Sequence, residues 1–456
     1  DAHQVLAVMA LRQGDIDGTI GHLQIILDDR YGDVNQNLWM VVNLLGREKD
    51  VELVMAVMER LLEQFRDNSD AVYALANIAA RLGRLDRAQE LLELTIEMVP
   101  ENDNAAMSYI SILQRKGQVN TALKWLEQVL LQRKSNDFTL RLAYARLLTD
   151  ARRLDDARRQ FEILSVSAPN NIDVLYALGL LYLQSNRLDE AEAYFKRLSN
   201  QNKRPNEAFY YLGRIREERK DYKKASIWYQ GVQKGDNYFD AQIRLGLIKA
   251  KLGSTDDARK HLRGIQARGE EDKTVLTQAE AELLIDEKRY EEAMEVYDKA
   301  LAGQYNSELF YSRAMLAEKM GRIDILEKDL RTILAKEPDH SQALNALGYT
   351  LADRTDRHEE AYLLIKRALE LSPEDFYILD SMGWVLYRLG RHQEAIEYLR
   401  KAMSVRRDPE IAAHFGEVLW VSGDRKAAKE IWETALEETP DDEEEELLNV
   451  IKRFRP

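Results

Sequence analysis

Along the whole chain, one small or apolar position returns after every 33, 34 or 35 residues. Around each such position the apolar residues follow helical spacing, three, four and seven residues apart on one face. Ten of the thirteen positions are alanine. The thirteen repeat positions are Thr19, Val54, Ala88, Ala122, Ala157, Ala191, Ala225, Ala258, Ala293, Leu326, Ala361, Ala395 and Ala428. A period of this length predicts stacked helix–turn–helix units rather than one compact core.

Most repeats carry a second small position twelve residues before the first, with Val42 and Ile110 as exceptions and Gly348 shifted by one residue. Alanine or glycine stands there in most repeats, as at Ala145, Gly213 and Gly383. Because a missing side chain lets two antiparallel helices approach closely, the two small positions predict where each helix pair crosses. Four residues after the repeat position, five repeats place a large ring on the same core-facing stripe. These rings are Phe161, Phe195, Tyr229, Tyr297 and Trp432.

Glycine and proline mark the predicted helix ends. Seven glycines stand five residues before a repeat position and predict the end of a first helix in the turn of its pair. They are Gly14, Gly83, Gly117, Gly253, Gly321, Gly390 and Gly423. Five prolines stand twelve residues after a repeat position, and none of the eight prolines falls inside a predicted helix, where it would break the hydrogen bonding.

The pattern of residues 379–409 resembles the tetratricopeptide repeat (TPR) family. The residues that carry the resemblance are Leu379, Met382, Gly383, Tyr387, Ala395, Leu399, Ala402 and Pro409. The resemblance implies an all-α fold, a right-handed superhelical TPR solenoid of about thirteen helix–turn–helix pairs with a C-terminal capping helix. We expect degenerate helical repeats over residues 1–66, the solenoid over 67–440 and the capping helix over 441–456.

The amino-acid composition argues against several classes of binding partner and chemistry. The chain has 456 residues, 32% charged and 45% hydrophobic, with a formal net charge of −14. Binding of nucleic acid without sequence preference needs basic surface, so we expect no nucleic-acid partner. No run of 18 apolar residues occurs, and no membrane-spanning segment is expected. Cysteine is absent, which excludes disulfides, thiolate zinc ligands and cysteine nucleophiles from this sequence.

No catalytic motif stands out among the polar residues. The seven histidines are scattered and never spaced as metal ligands. The segment at His358 reads HEEAY, in which Tyr362 stands where a zinc-binding helix needs its second histidine. We therefore expect a protein that is not an enzyme, with no catalytic residue, no cofactor and no metal site.

Function is then expected on the concave wall that the first helices of the pairs line. Tyrosine, tryptophan, arginine and asparagine bind protein surfaces and peptide backbones well, and they recur beside the second small position. The alternative is structural, with these rings packed on the next repeat and the arginines paired to neighbouring glutamates. The candidate concave protein-binding residues are Trp39, Asn43, Tyr73, Asn77, Arg146, Tyr176, Tyr210, Arg214, Tyr311, Trp384 and Tyr387.

Residues 338–440 carry a more specific resemblance. The segments NALGYTLADRT, ILDSMGWVLYRLG and DPEIAAHFGEVLWVSG are similar to a proteobacterial subfamily of large TPR lipoproteins of the outer membrane, with members in Pseudomonas. The resemblance implies a non-catalytic adaptor that binds a periplasmic carboxy-terminal processing protease. Such an adaptor presents protein substrates, cell-wall (peptidoglycan) hydrolases, for degradation.

The same resemblance implies a location on the periplasmic face of the outer membrane, reached only through a lipid anchor. The signal peptide and lipidated cysteine of that subfamily are not in this sequence, which opens at Asp1. We therefore expect a chain trimmed at its N-terminus. Two other functions stay open: a TPR interaction scaffold for envelope or cytoplasmic complex assembly, and the repeat half of a larger enzyme.

Overall fold

The computed structural model describes residues 2–27, 34–132, 137–201, 204–440 and 445–454. These residues form helices joined by short turns, and no strand occurs among them. Contacts between residues divide the chain into two units. The first unit holds Asp1–Asp221 and Gly231–Gly235, and the second holds Tyr222–Gln230 and Asp236–Pro456.

The first unit is a stack of helices in which α1–α2, α5–α6, α9–α10 and α11–α12 pack closely as consecutive pairs. Its helices are α1 (Ala2–Arg12), α2 (Ile16–Leu27), α3 (Val34–Leu45), α4 (Val51–Phe65), α5 (Ser69–Arg81), α6 (Leu85–Met98), α7 (Asp103–Arg115), α8 (Val119–Gln132), α9 (Phe138–Asp150), α10 (Leu154–Ser167), α11 (Ile172–Gln184), α12 (Leu188–Ser199) and α13 (Pro205–Glu218).

The second unit has the same kind of arrangement within itself, and its closest pairs are α21–α22 and α23–α24. Its helices are α14 (Tyr222–Gly231, whose last residue falls in the first unit), α15 (Tyr238–Lys251), α16 (Thr255–Arg263), α17 (Glu270–Asp286), α18 (Tyr290–Leu301), α19 (Ser307–Lys319), α20 (Ile323–Lys336), α21 (Ser341–Arg354), α22 (His358–Leu371), α23 (Phe376–Arg388), α24 (His392–Val405), α25 (Pro409–Val421), α26 (Arg425–Glu438) and α27 (Glu445–Phe454).

Many first helices begin at a side chain that caps their free backbone N–H groups. Asn68 accepts from the N–H groups of Asp70 and Ala71, and Asp375 accepts from those of Tyr377 and Ile378. An oxygen at this position satisfies donors that have no partner inside the helix. The polar residue after each inter-repeat turn thereby fixes where the next first helix starts.

The predicted crossing points are confirmed. All thirteen repeat positions have no exposed surface. A Cβ atom added at Gly383 would lie 2.5 Å from Leu399 Cγ, and one added at Gly416 would overlap the indole ring of Trp432. Only glycine leaves room there, because the large side chain four residues after each repeat position fills the space between the two helices.

The turns within the pairs agree with the glycine pattern and extend it. All seven predicted glycines have positive φ, between 70° and 97°. In four other repeats a residue with a side chain occupies the same place with φ between 54° and 61°. These residues are Arg152, Asn186, Lys220 and Lys288. The left-handed turn is therefore kept even where the sequence does not supply glycine.

A final helix covers the last pair, as the sequence predicted. The structure gives it as α27, and residues 441–444 and 455–456 of the expected segment lie outside the described residues. Leu447 is fully buried, and the Phe454 ring lies 6.1 Å from that of Trp432. The solenoid of about thirteen pairs with a capping helix is thus confirmed, whereas the division at residues 66 and 440 stays a prediction.

Candidate functional site

A groove in the second unit brings three of the predicted residues together. Tyr311, Trp384 and Tyr387 line one open cavity of about 1120 Å³. The first helices α19, α21, α23 and α25 form most of its wall, and Val450 and Arg453 of α27 also line it. This wall is where the repeat pattern placed the concave surface. We call it the α19–α27 groove.

Aromatic rings form much of the groove wall. Besides the three predicted residues, Tyr349 and Tyr377 line the cavity. Half of the surface of Tyr377 is exposed, whereas Trp384 retains only 7%. The Tyr311 ring stacks on that of His340 with centroids 6.2 Å apart. Tyrosine and tryptophan offer large, rigid contact area, so the groove has the side chains that protein interfaces favour.

At the centre of the groove His414 is bound to Asp380 of the neighbouring first helix. The His414 Nδ1 lies 2.9 Å and 3.1 Å from the two Asp380 carboxylate oxygens. The Trp384 ring stacks on the imidazole with centroids 4.2 Å apart. Burial lowers the pKa of His414, but the charge and hydrogen bond of Asp380 and the charges of Glu410 and Glu417 outweigh it and raise that pKa to about 9. The imidazole is therefore a buried cation at neutral pH.

A chain of polar contacts extends from this pair. The Tyr349 hydroxyl lies 3.5 Å from His414 Nε2 and 3.5 Å from a Glu410 oxygen. A protonated His414 donates to that hydroxyl, and the hydroxyl in turn donates to Glu410. Helices α21, α23 and α25 are thereby joined through polar groups at the groove surface.

Glu417 joins the last described helix to the groove. Its carboxylate accepts from Arg453 of α27 at 3.1 Å and from the Tyr387 hydroxyl at 3.3 Å. Burial and the nearby Glu417 charge raise the pKa of Tyr387 to about 12. Tyr387 therefore stays a neutral donor, and its position along the groove is fixed by this carboxylate.

Two polar atoms in the groove wall are buried without a partner among the described residues. They are the Nε1 donor of Trp384 and the Oδ1 acceptor of Asn345. Both residues line the cavity. A buried donor or acceptor without a hydrogen bond costs about 1–3 kcal/mol, so these atoms are unusual in a wall that otherwise satisfies its polar groups.

The other predicted residues belong to the first unit. The side chain of one of them is not in the described part of the structure. The side chain of Trp39 lies outside the part of α3 that the structure describes. Asn43 accepts a hydrogen bond from Arg81 at 3.2 Å. The Tyr73 hydroxyl lies 3.2 Å from Ser108 Oγ. The amide nitrogen of Asn77 donates to the Tyr73 carbonyl oxygen at 2.8 Å, so it is used within its own helix.

Arginine and tyrosine side chains meet where α9, α11 and α13 adjoin. Arg146 and Arg204 lie 3.1 Å and 3.2 Å from the two oxygens of Asp173. Arg204 also covers the Tyr176 ring at 5.0 Å. Tyr210 is buried with its ring edge against Tyr211, and Arg214 is exposed. In this region Arg146, Tyr176 and Tyr210 show the packed and ion-paired arrangement that the structural alternative described.

The sequence analysis missed much of the groove's polar centre. Asp380, His414 and Glu417 were not among the candidates, although Asp380 and His414 are 34 residues apart, one repeat period. Residues one period apart on the inner face of first helices are neighbours in a stacked solenoid. Comparing charged residues at that spacing would have found this pair.

Protein-family models agree with the repeat architecture. Models described as tetratricopeptide repeat match residues 47–109, 278–302, 311–376 and 377–408. This chain is a tetratricopeptide-repeat protein. A further model, described as the tetratricopeptide repeat protein 21 C-terminal ARM domain, matches residues 87–246. Such repeats imply a protein-interaction scaffold.

Known proteins resemble this TPR protein over part of its length. It is 43% identical over 212 residues to the TPR repeat-containing protein PA4667 of Pseudomonas aeruginosa, which is 46% of this chain and 36% of that protein. It is 26% identical over 208 residues to the human protein O-mannosyl-transferase TMTC1, 44% of this chain and 23% of that protein. The chain thus spans 36% or less of these relatives' own length.

Solved structures that resemble the chain include yeast Tom70, with 15% identity and a TM-score of 0.43 over 99% of this chain and 94% of that one. Another is TTC0263, a thermophilic TPR protein of Thermus thermophilus, with 23% identity and a TM-score of 0.35 over 40% of this chain and 96% of that one.

Proposed function

We propose that this TPR protein is a non-catalytic adaptor that binds a periplasmic carboxy-terminal processing protease. In this role it presents protein substrates, cell-wall hydrolases, for degradation. The resemblance of residues 338–440 to the lipoprotein subfamily carries the proposal. The 43% identity to a Pseudomonas TPR protein is compatible with it. The groove residues Asn345, Trp384 and His414 all fall inside those residues, so the segment that carries the resemblance also builds most of the groove.

In the proposed mechanism the α19–α27 groove holds a segment of the substrate while another surface of the chain binds the protease. Holding both partners on one scaffold makes the encounter between them intramolecular. A tether of this kind gives an effective concentration of about a millimolar. Weak individual contacts then suffice to commit a substrate to cleavage, and the scaffold needs no catalytic group of its own.

We further propose the periplasmic face of the outer membrane as the location, through a lipid anchor. The proposal rests on the lipoprotein resemblance alone. Among the described residues, no helix is both long enough and apolar enough to cross a bilayer. Mass spectrometry of the protein purified from its native membrane tests the proposal, because an N-terminal lipidated cysteine supports it and an unmodified N-terminus contradicts it.

A pull-down with a protease variant that lacks its nucleophile tests the adaptor function. We expect this protein to recover both the protease and a cell-wall hydrolase, and to accelerate cleavage when active protease is used. Tyr387→Ala, which alters the groove, should lose the hydrolase and keep the protease. Leu363→Ala serves as the control because Leu363 is exposed on α22 and lies outside the groove. Recovery of neither partner by the unaltered protein contradicts the proposal.

The repeat half of a larger enzyme is the second candidate function. The similarity to the human O-mannosyl-transferase favours it, since that protein is named for a transferase activity and the match covers 23% of it. A reading frame that extends into a transferase domain would support this candidate over the adaptor. A frame with only repeats beyond these residues would contradict it.

A further inference from the structure

We propose that the α19–α27 groove recognises an extended polypeptide segment that carries lysine or arginine side chains. This inference rests on the proposed function, in which the groove holds the substrate, and it adds the chemistry of the segment that is held. Three features of the groove support it: its charge, its exposed rings, and its unsatisfied donor and acceptor.

Carboxylates outnumber lysine and arginine in the groove lining. Six carboxylates line it, against four lysine and arginine side chains and the protonated His414. Two of those cations already face carboxylates in the same wall, since Arg453 lies 3.1 Å from Glu417 and Arg354 lies 2.8 Å from Asp353. Glu318 is exposed in the groove. A cationic side chain entering the groove is therefore attracted, and an anionic one is repelled.

Exposed rings give such a cation a second contact. Tyr377 keeps half of its surface accessible, and Tyr349 and Tyr387 are half-buried in the same wall. A lysine or arginine held over a tyrosine ring within about 6 Å gains a cation–π contact. The stems of these side chains also cover apolar surface while the charged end reaches a carboxylate.

The unpartnered atoms suit a peptide backbone. Trp384 contributes a buried N–H donor and Asn345 a buried oxygen acceptor, neither with a partner among the described residues. An extended chain presents carbonyl oxygens and N–H groups in alternation, so a segment in the groove can offer partners of both kinds when the wall side chains move to uncover these atoms. Small cations without a backbone lack this complementarity, which makes a polypeptide the better occupant.

The dimensions set the length of the segment. The groove crosses five helices, α19, α21, α23, α25 and α27. At about 9 Å between neighbouring packed helices it extends over roughly 35 Å. An extended chain rises about 3.3 Å per residue, so roughly ten residues cross the groove.

Fluorescence anisotropy with labelled ten-residue peptides tests the inference. Both peptide ends are blocked, and three lysines, three glutamines or three glutamates alternate with glycine, serine and leucine. We expect the lysine peptide to bind the full chain at least about ten-fold more tightly than the glutamate peptide. Its affinity should fall as salt is raised from about 0.05 to 0.5 M, because salt screens the exposed charges.

Substitutions inside and outside the groove test whether the groove residues themselves bind the peptide. Glu318→Gln and Tyr377→Ala should each weaken binding of the lysine peptide by about two- to five-fold. Glu397→Gln removes an exposed carboxylate of α24 outside the groove and should leave the affinity unchanged. An equal loss in Glu397→Gln would show that net charge alone attracts the peptide, and would overturn the inference.

The results that would overturn the inference differ from those that would contradict the proposed function. Equal affinity for the lysine, glutamine and glutamate peptides overturns the charge preference and leaves the adaptor function standing. Absence of binding by all three peptides overturns the inference as well. Loss of the protease from the pull-down, with the lysine peptide still bound, contradicts the adaptor function and leaves the groove chemistry intact.

Discussion

At His414, burial and charge act on one side chain in opposite directions. Desolvation alone would make the imidazole neutral, but Asp380 lies within hydrogen-bonding distance and two further carboxylates are near. Their combined effect raises the pKa of His414 from its ordinary value of 6.5 to about 9. The folded second unit therefore holds a proton that the unfolded chain releases at lower pH.

The stability of the second unit should depend on pH through this residue. The contribution is complete below about pH 6.5, because both states are then protonated, and it is lost as pH rises through about 9. We expect the free energy of unfolding to fall by up to about 3 kcal/mol across that window. Urea unfolding followed by tryptophan fluorescence at several pH values measures it.

Two substitutions isolate the cause of this pH dependence. His414→Gln should flatten the slope, and His392→Gln, on the second helix α24, should keep it. A slope that persists unchanged in His414→Gln would assign the pH dependence to other groups.

At the scale of one element, the terminal helix α27 covers the apolar face at the end of the stack of repeats. Its buried side chains Leu447, Val450 and Ile451 join the core of the second unit. Its Phe454 ring lies 6.3 Å from Trp420 on the last first helix. A stack of repeats leaves an apolar face at each end, and a covering helix with a polar outer side removes that face from water.

Shortening one side chain of α27 should measure this covering effect. Leu447→Ala removes a fully buried side chain and should lower the free energy of unfolding by about 2–4 kcal/mol. Lys452→Ala, at an exposed position of the same helix, should change it by less than about 0.5 kcal/mol. Equal effects of the two substitutions in thermal or urea unfolding would show that α27 does not pack as described.

The helices and part of the groove's aromatic wall were predictable from the sequence, whereas the polar residues of the groove were not. Residues such as Ala258 and Ala395 repeat at one period because every helix pair needs the same close crossing, so one local rule applies throughout. His414 and Asp380 follow no such rule. Their roles depend on burial, on the Trp384 ring and on the carboxylates of α25, which meet only after the helices have stacked.

At the scale of the whole molecule, contacts stay local along the chain. The principal helix contacts join helices no more than two apart in sequence. In such an arrangement stability is close to a sum of repeat and nearest-neighbour contributions. A disturbance in one repeat should therefore weaken its neighbours and leave distant repeats unchanged.

Hydrogen exchange of the backbone amides can measure whether a disturbance in one repeat reaches distant repeats. In Gly416→Ala the new Cβ meets Trp432, and overpacking should cost about 1–3 kcal/mol. We expect lower protection of backbone amides in α23–α27 and unchanged protection in α5–α12, measured by mass spectrometry. Gly21→Ala is the matched control, because no atom lies within 4 Å of its added Cβ. A uniform loss of protection along the chain would contradict nearest-neighbour stability.

The four turns that hold Arg152, Asn186, Lys220 or Lys288 in the left-handed conformation have a practical consequence. A side chain costs roughly 1–2 kcal/mol there relative to glycine, and none of the four residues lines the groove. Relieving this backbone strain would raise the free energy of unfolding without altering the groove lining. Glycine at these turns can make the protein more heat-resistant while the residues that line the α19–α27 groove stay unchanged.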